Sequence, residues 1–366
     1  MLIKQVTVSG LFGKNSTETY HFNADLNLVT GRNGSGKTTL IKLIWSIMSG
    51  NILLALNEVN FKACSITTSE YICTVTRTGA ATCKVELDVN GEIYIFEDED
   101  PDDVSFAEAA EDKAAPYLIS RGSSLFFPTF RRIEGGFSMS VGPPSRVRPG
   151  GRVEADIDTS LASISRKLSN KEHTFVSAIS SQDIVGLLLK QYASLSDDVN
   201  AFQENVTSRV INKIRQYENT QSVGHNADAL LSETRSEIEK IEAYRADVLQ
   251  PFTAVRGLVE KLFKHAGISF GRRLSFGDAA AAINSDALSA GEKQMLSFIC
   301  YNAFHKNTVV FIDEPELSLH VDWQRRLVSI LESQNSGNQF VFATHSPFIY
   351  GKYPDKELIV GEDRGD

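Results

Sequence analysis

Residues 31–38, which read GRNGSGKT, constrain the fold of this chain more than any other stretch. They follow an apolar segment at 26–30 that is typical of a strand, and they precede a segment at 39–48 that is typical of a helix. Glycines at these spacings let backbone N–H groups curl around phosphates, and the helix N-terminus adds partial positive charge. The pattern therefore predicts an α/β fold with a phosphate-binding loop between a strand and a helix.

The side chains of this loop match the needs of a magnesium–nucleotide complex. Lys37 offers a compact cation to the β- and γ-phosphates, and Thr38 offers a hydroxyl to Mg²⁺. A glycine-rich turn that arose by chance is the alternative. The candidate ATP-binding residues of the loop are Gly31, Asn33, Gly34, Ser35, Gly36, Lys37, Thr38 and Thr39.

Two acids, Asp313 and Glu314, follow the apolar run at 309–312, which is typical of a strand buried on both faces. Asp313 is a candidate Mg²⁺ ligand, directly or through water. Glu314 lies one residue further, so the strand pleat would point its side chain to the opposite side, where it could polarise the attacking water. The alternative is that both acids cap a helix after a core strand.

Two more segments carry candidate residues. Ser289, Gly291 and Glu292 stand in LSAGEKQ at the start of a predicted helix, where backbone N–H groups could bind an anion. His345 ends a second apolar run, QFVFAT, and lies 31 residues after Glu314. An ordinary core histidine is the alternative for His345.

Taken together, these motifs resemble those of the SMC-like branch of ABC ATPases, over about residues 1–60 and 270–350. The loop at 31–38 resembles Walker A, LSAGEKQ the signature, DEPELSLH the extended Walker B, and His345 the switch histidine. The form DEPExxLH is similar to RecF, OLD-type and Septu or retron-associated defence ATPases. The resemblance implies an ABC-type head that dimerises around MgATP, as a homodimer or higher oligomer, with Ser289, Gly291 and Glu292 at the partner's nucleotide.

The resemblance also implies that Glu314 and His345 are the catalytic residues of this chain. Glu314 would orient the attacking water, and His345 would sense the γ-phosphate. Remaining roles have candidates by residue type only. Gln182 and Gln191 are candidates for the Q-loop, Phe12 and Phe22 for adenine stacking, and Lys14 for an α-phosphate contact.

The leading functional hypothesis is an ATP-switched or sensor subunit that controls a separate effector, such as an HNH nuclease, in anti-phage defence. The alternative is a RecF-like ATPase of DNA repair or recombination that acts directly on DNA. A transporter ATPase fits less well, because those carry DEPTSALD-like sequences. Only 21 residues follow His345, so we expect no Toprim nuclease on this chain.

The middle of the chain has a different pattern. Apolar residues at three-and-four spacing run from Leu188 to Val206 and again from Leu231 to Leu262, with a polar, glycine-containing stretch between them. This spacing predicts two antiparallel helices of about 30 residues, either a projecting coiled-coil hairpin or two ordinary core helices. We expect a head built from residues 1–150 and 266–366, interrupted by a helical insertion at 155–265.

Composition and charge set the remaining expectations. The chain of 366 residues has a net charge of −9, which excludes a surface that is basic all round. Its four cysteines form no CxxC pair, and it contains no apolar run of membrane-spanning length, so we expect a cytoplasmic protein without a zinc site. One arginine-rich segment could bind DNA, RNA or an acidic protein, or could pair with the acidic stretch at 97–103, through Arg121, Arg131, Arg132, Arg146, Arg148 and Arg152. For Arg131 and Arg132, contact with ATP is an alternative.

Overall fold

Most strands of this computed structural model belong to one of two six-stranded sheets, one antiparallel and one parallel. The structure describes residues 1–98, 108–129, 132–133, 161, 163–179, 181–219, 227–262 and 289–361.

The antiparallel sheet uses the first part of the chain, where β-branched and aromatic residues alternate with polar ones. Its order is β2-β1-β4-β5-β6-β7. The strands are β1 (Ile3–Ser9), β2 (Thr17–His21), β4 (Ala63–Thr68), β5 (Ile72–Arg77), β6 (Cys83–Val89) and β7 (Glu92–Glu97). The last two are joined at Asn90 and Gly91, whose φ values of 55° and 89° suit the tight turn of a hairpin.

The parallel sheet combines strands from both ends of the chain, in the order β10-β8-β12-β13-β3-β14. These strands are β3 (Leu26–Thr30), β8 (Ser124–Phe127), β10 (His173–Phe175), β12 (Val309–Asp313), β13 (Gln339–Ala343) and β14 (Glu357–Ile359). A separate short parallel pair consists of β9 (Arg132–Ile133) and β11 (Ala178–Ile179). Strand β8 ends before Pro128, which has no N–H to donate to the ladder.

The helices are α1 (Lys37–Met48), α2 (Ile52–Glu58), α3 (Ala110–Ile119), α4 (Ser181–Asn219), α5 (Ala227–Val248), α6 (Gln250–Leu262), α7 (Ala290–Phe304), α8 (Val321–Glu332) and α9 (Pro347–Tyr350). Of these, α1 covers one face of the parallel sheet, and α7 and α8 cover the other.

Alternate residues of the parallel strands pack into two separate hydrophobic cores. In β12, Val309 and Phe311 pack toward α1 and the antiparallel sheet, whereas Val310 and Ile312 pack toward α7 and α8. All four are buried, which is why these strands appear as continuous apolar runs in the sequence.

One polar side chain, Gln339, joins the two sheets. Its amide oxygen accepts the backbone N–H of Ile3 at 2.8 Å, and its Nε2 donates to the Ile3 carbonyl at 2.8 Å. The same Nε2 also donates to the carbonyl of Asn23 at 2.7 Å. Gln339 therefore pairs with Ile3 as a peptide group of a neighbouring strand would, in a fully buried position.

The middle of the chain forms a helical hairpin from α4 and α5. The rings of Phe202 and Tyr244 stack with centroids 4.1 Å apart, and Lys213 lies 2.5 Å from Glu233 further along. The second helix is not continuous to Leu262 as the apolar spacing suggested, because a turn at Leu249 separates α5 from α6 just before Pro251.

The predicted α/β fold class with a helical insertion is confirmed; where we expected one mixed sheet covered by helices, the described strands form an antiparallel sheet, a parallel sheet and a short parallel pair. The expected domain boundaries near 150–155 and 265–266 lie outside the described residues. Within the described part of the chain, every helix is too short or too polar to cross a bilayer.

Candidate nucleotide site

The candidate site lies where the parallel strands end at their carboxyl edge. Gly31 follows β3, Asp313 ends β12, and Thr344 and His345 follow β13. Thr129 follows β8, which pairs with β12. Because loops after parallel strands meet at one edge of the sheet, residues far apart in sequence converge there.

The phosphate-loop glycines adopt conformations that other residues rarely reach. Gly31, Gly34 and Gly36 have φ values of 145°, 80° and 101°. A Cβ on Gly31 would lie 2.4 Å from the carbonyl oxygen of Val360, so the close approach also requires glycine there. The N-terminus of α1 follows at Lys37, and no side chain caps it. Its first-turn N–H groups lack intrahelical acceptors and so suit an anion.

Lys37 is buried within the loop that it would serve. Its Nζ donates to the carbonyls of Gly31 and Arg32, each at 3.0 Å. Burial lowers the pKa of Lys37, while the nearby carboxylates of Glu314, Asp313 and Glu316 oppose that shift. The ammonium group therefore stands in a cluster with more negative than positive charge.

Each carboxylate oxygen of Asp313 accepts a hydrogen bond from a threonine hydroxyl. Thr38 Oγ1 donates to Oδ1 at 2.9 Å, and Thr129 Oγ1 donates to Oδ2. Neighbouring ligands of octahedral Mg²⁺ lie about 2.9 Å apart, given metal–oxygen distances of about 2.1 Å, so Thr38 and Asp313 fit this ion as a pair of hard oxygen donors.

Glu314 differs from the expected strand geometry. Its φ is 50°, in the left-handed region, so the extended strand stops at Asp313 and the pleat argument for its direction is wrong. Its N–H donates to the Ala343 carbonyl at 2.8 Å, which holds this strained conformation. Burial and the charges of Glu316 and Asp313 raise the pKa of Glu314 to about 7.

His345 stands beside Glu314, with its Nε2 3.5 Å from Glu314 Oε1. Burial and then the charge of Lys37 lower the pKa of His345. The histidine segment is held by Glu316, which accepts the backbone N–H of His345 at 2.6 Å and the Thr344 hydroxyl at 2.8 Å.

Sequence reasoning assigned no role to Glu316 or Thr129. The acidic sequence Asp-Glu-Pro-Glu was a signal for the first of these, and Pro128 was a signal for the second, since proline ends a strand and so places the next residue at the sheet edge.

The segment at 289–292 forms a helix cap. Ser289 accepts the backbone N–H of Glu292, and the Glu292 carboxylate accepts the Ser289 N–H at 2.7 Å, which is a capping box. Gly291 is buried, and a Cβ there would lie 2.3 Å from the Ser318 carbonyl oxygen. Ser289 is exposed at the start of α7, whereas Glu292 and Gly291 have local structural roles.

Phe12 lies directly on the phosphate loop. A Cβ on Gly36 would be 2.2 Å from its ring, which is 44% exposed. Lys14 lines an adjacent open cleft of about 790 Å³, together with Tyr20, Glu357 and Gly361. Phe22, in contrast, packs against the core between the sheets.

The remaining candidates lie away from this cluster or cannot be described. Gln191 stands in the hairpin helix α4, and the side chain of Gln182 lies outside the described residues. Arg121 follows α3 and binds the end of that helix, donating to the Tyr117 carbonyl at 2.8 Å. Only the backbone of Arg132 is described, and Arg131, Arg146, Arg148 and Arg152 lie outside the described residues.

Comparison with known proteins gives one family match. The family model described as "AAA domain, putative AbiEii toxin, Type IV TA system" matches residues 155–350. This range includes Asp313, Glu314 and His345 but not the loop at 31–38 or the antiparallel sheet. No curated protein matches this chain.

Two similar solved structures are SMC head domains. One, from Pyrococcus furiosus, has an extended coiled coil and is bound to the C-terminal domain of ScpA; its identity to this chain is 14%, its TM-score is 0.40, and the match covers 100% of this chain and 94% of that one. The other is bound to the C-winged helix domain of ScpA, with 12% identity, a TM-score of 0.40, and coverage of 100% and 96%.

Proposed function

The chain belongs to the family of AAA domains described as putative AbiEii toxins of Type IV toxin–antitoxin systems, and on this basis we propose that it is an ATPase that closes as a dimer around MgATP and switches a separate effector protein. The observation that carries the nucleotide site is the 2.9 Å hydrogen bond from Thr38 to Asp313, which joins motifs 275 residues apart.

Nucleotide binding would use the loop at 31–38 and α1. Backbone N–H groups of the loop receive the phosphates, and Lys37 exchanges its two carbonyl acceptors for phosphate oxygens. The base would lie beside the loop, where the exposed ring of Phe12 could stack on it and Lys14 could approach the phosphates.

Hydrolysis would depend on positioning and charge. Thr38 and Asp313 are the residues that would hold Mg²⁺, which when bound neutralises charge on the β- and γ-phosphates. Glu314 would orient the attacking water, and His345, within reach of Glu314, would contact the γ-phosphate. Glu316 would keep His345 in place through the backbone.

Dimerisation would complete the site. Ser289 is exposed at the N-terminus of α7, where the helix dipole favours a negative charge, and this end could cover the γ-phosphate bound to a second copy. Closure then depends on ATP, and hydrolysis opens the dimer.

The hairpin is attached to the same helix that carries Ser289. At the other end of α7, the ring of Phe304 packs against Phe252 of α6 at 4.6 Å, and Phe252 packs against Tyr192 of α4 at 5.6 Å. A shift of α7 on closure would therefore reach the base of the hairpin through packed aromatic rings.

The finer assignment is a role in anti-phage defence, of the Septu or retron-associated type, with a separate nuclease-like effector. A toxin–antitoxin label for the family supports a system with more than one component. The motifs at 313–320 and 288–294 and their resemblance to SMC-like defence ATPases support the same proposal.

The test of nucleotide binding compares Lys37→Ala with Lys42→Ala. Both residues lie on α1, but Lys42 pairs with Glu58 at the surface. We expect Lys37→Ala to lose binding of a fluorescent ATP analogue and Lys42→Ala to keep it. Wild-type affinity in Lys37→Ala would refute the phosphate role.

The test of the switch measures two things separately: binding of an effector protein, and stimulation of ATP turnover by DNA. The protein is purified with the products of the neighbouring genes, with ATP or with ADP. A stable complex whose composition depends on the nucleotide supports the proposal. ATP turnover that is stimulated by DNA alone and weakens steeply with salt would instead favour direct action on DNA.

A further inference from the structure

Thr129 lies outside every motif that defines the candidate site, yet it contacts the centre of that site. Strand β8 pairs with β12 up to Phe127 and Ile312. If this register is continued, Pro128 stands beside Asp313 and Thr129 beside Glu314. The half-buried Thr129 is thus held at the carboxyl edge of the sheet, next to the two acids.

The Thr129 hydroxyl binds the Asp313 carboxylate on the side away from Thr38. Oδ2 accepts from Thr129, while Oδ1 accepts from Thr38. A carboxylate that is fixed at only one oxygen can rotate about its Cβ–Cγ bond, whereas one that is fixed at both oxygens keeps its plane. Asp313 is 1% exposed, so water offers little substitute for either hydroxyl.

We propose that Thr129 is a positioning residue that orients Asp313 for Mg²⁺, by holding Oδ2 so that Oδ1 faces the metal beside Thr38. This inference rests on the proposed function, because it assumes that Asp313 and Thr38 hold the metal. Residues that orient a metal ligand through a hydrogen bond commonly change metal affinity by about 10- to 100-fold when they are removed.

The chemistry of the side chain makes the proposal specific. Thr129→Val keeps the shape of the side chain and replaces the hydroxyl with a methyl group, so Oδ2 loses the hydrogen bond from Thr129. Thr129→Ser keeps the donor and removes the methyl group. We therefore expect Thr129→Val, but not Thr129→Ser, to reduce the contribution of Mg²⁺ to nucleotide affinity.

The experiment measures affinity for a fluorescent, non-hydrolysable ATP analogue in excess Mg²⁺ and in EDTA, for the full-length wild type and both variants. The dissociation constant in EDTA divided by the dissociation constant in Mg²⁺ reports how much the metal contributes to affinity, without any turnover. We expect Thr129→Val to lower this ratio by about 10-fold or more, with unchanged affinity in EDTA, and Thr129→Ser to stay within about twofold of the wild type.

Other outcomes separate the two proposals. A wild-type ratio in Thr129→Val overturns the role of Thr129 and leaves the ATP site intact. Equal loss of affinity in Mg²⁺ and in EDTA also overturns it, because Thr129 would then act on the nucleotide or on the fold. A wild type that binds no analogue in either condition refutes the ATP site and the inference with it. If Thr129→Val does not fold, Thr129→Ala takes its place against Thr129→Ser.

Discussion

Glu316 holds His345 through the backbone, at 2.6 Å from the carboxylate to the His345 N–H. The same carboxylate accepts the Thr344 hydroxyl, so the segment after β13 is fixed at two consecutive residues. The side chain of His345 is therefore presented to Glu314 by an acid in the turn that follows β12, the strand paired with β13.

We expect Glu316→Ala to lower the kcat of ATP hydrolysis by about 10- to 100-fold while nucleotide affinity stays near the wild-type value, because misplacement of a reacting group costs rate. Steady-state turnover and equilibrium binding of a fluorescent analogue measure the two effects. Glu70→Ala, at an exposed turn, is the matched control. A loss of affinity equal to the loss of rate would contradict a role through His345.

Glu314→Gln should retain ATP and accumulate as a closed dimer, since the phosphate and metal ligands remain while the carboxylate that orients water is lost. Light scattering after size exclusion, with and without ATP, measures the change. Adding Ser289→Arg to this variant should prevent dimerisation, because a bulky side chain at the exposed start of α7 would block the partner. A monomer in Glu314→Gln with ATP would contradict the dimer.

Gln339→Leu should reduce the free energy of unfolding by about 2–4 kcal/mol, because the buried N–H and carbonyl of Ile3 would each lose a partner. Urea titration followed by circular dichroism provides the measurement. The same substitution at the exposed Gln203 of α4 is the control and should change stability little. Equal effects at both positions would show that the link between the sheets contributes nothing.

His173 should make the protein sensitive to acid. Burial lowers the pKa of His173 to about 4, so the folded state holds the neutral ring and the unfolded state, with a pKa near 6.5, takes up the proton first. Its contribution is complete above pH 6.5 and is lost as the pH falls toward 4, by about 2 kcal/mol at pH 5.

The measurement for His173 is urea unfolding at pH 7 and pH 5 in the wild type and in His173→Asn. Asparagine can keep a hydrogen bond to Ser124, which lies 2.7 Å from His173 Nδ1, but does not titrate. We expect a smaller loss of stability on acidification in the variant. An identical loss in both proteins would assign the acid sensitivity to other groups.

The sequence was informative where structure follows from neighbouring residues. The loop at 31–38 and the acids after β12 could be predicted because glycine spacing and buried apolar runs report local geometry. The contacts of Thr129 and Glu316 could not, since they depend on which strands become neighbours in the sheet. The left-handed conformation of Glu314 could not be predicted either, because it depends on the hydrogen bond that its N–H donates to the Ala343 carbonyl of β13.

The order of the parallel sheet has a consequence during synthesis of the chain. The central strands β12 and β13 are translated last among the six except for β14, whereas β3 is translated first. Until residue 343 has left the ribosome, β3 cannot pair with β13. Apolar side chains of β3 therefore stay exposed to solvent or to a chaperone during this time. A partly synthesised chain already carries the loop at 31–38 but lacks Asp313, so the proposed pair of metal ligands, Thr38 and Asp313, cannot form until the second half of the chain has been made.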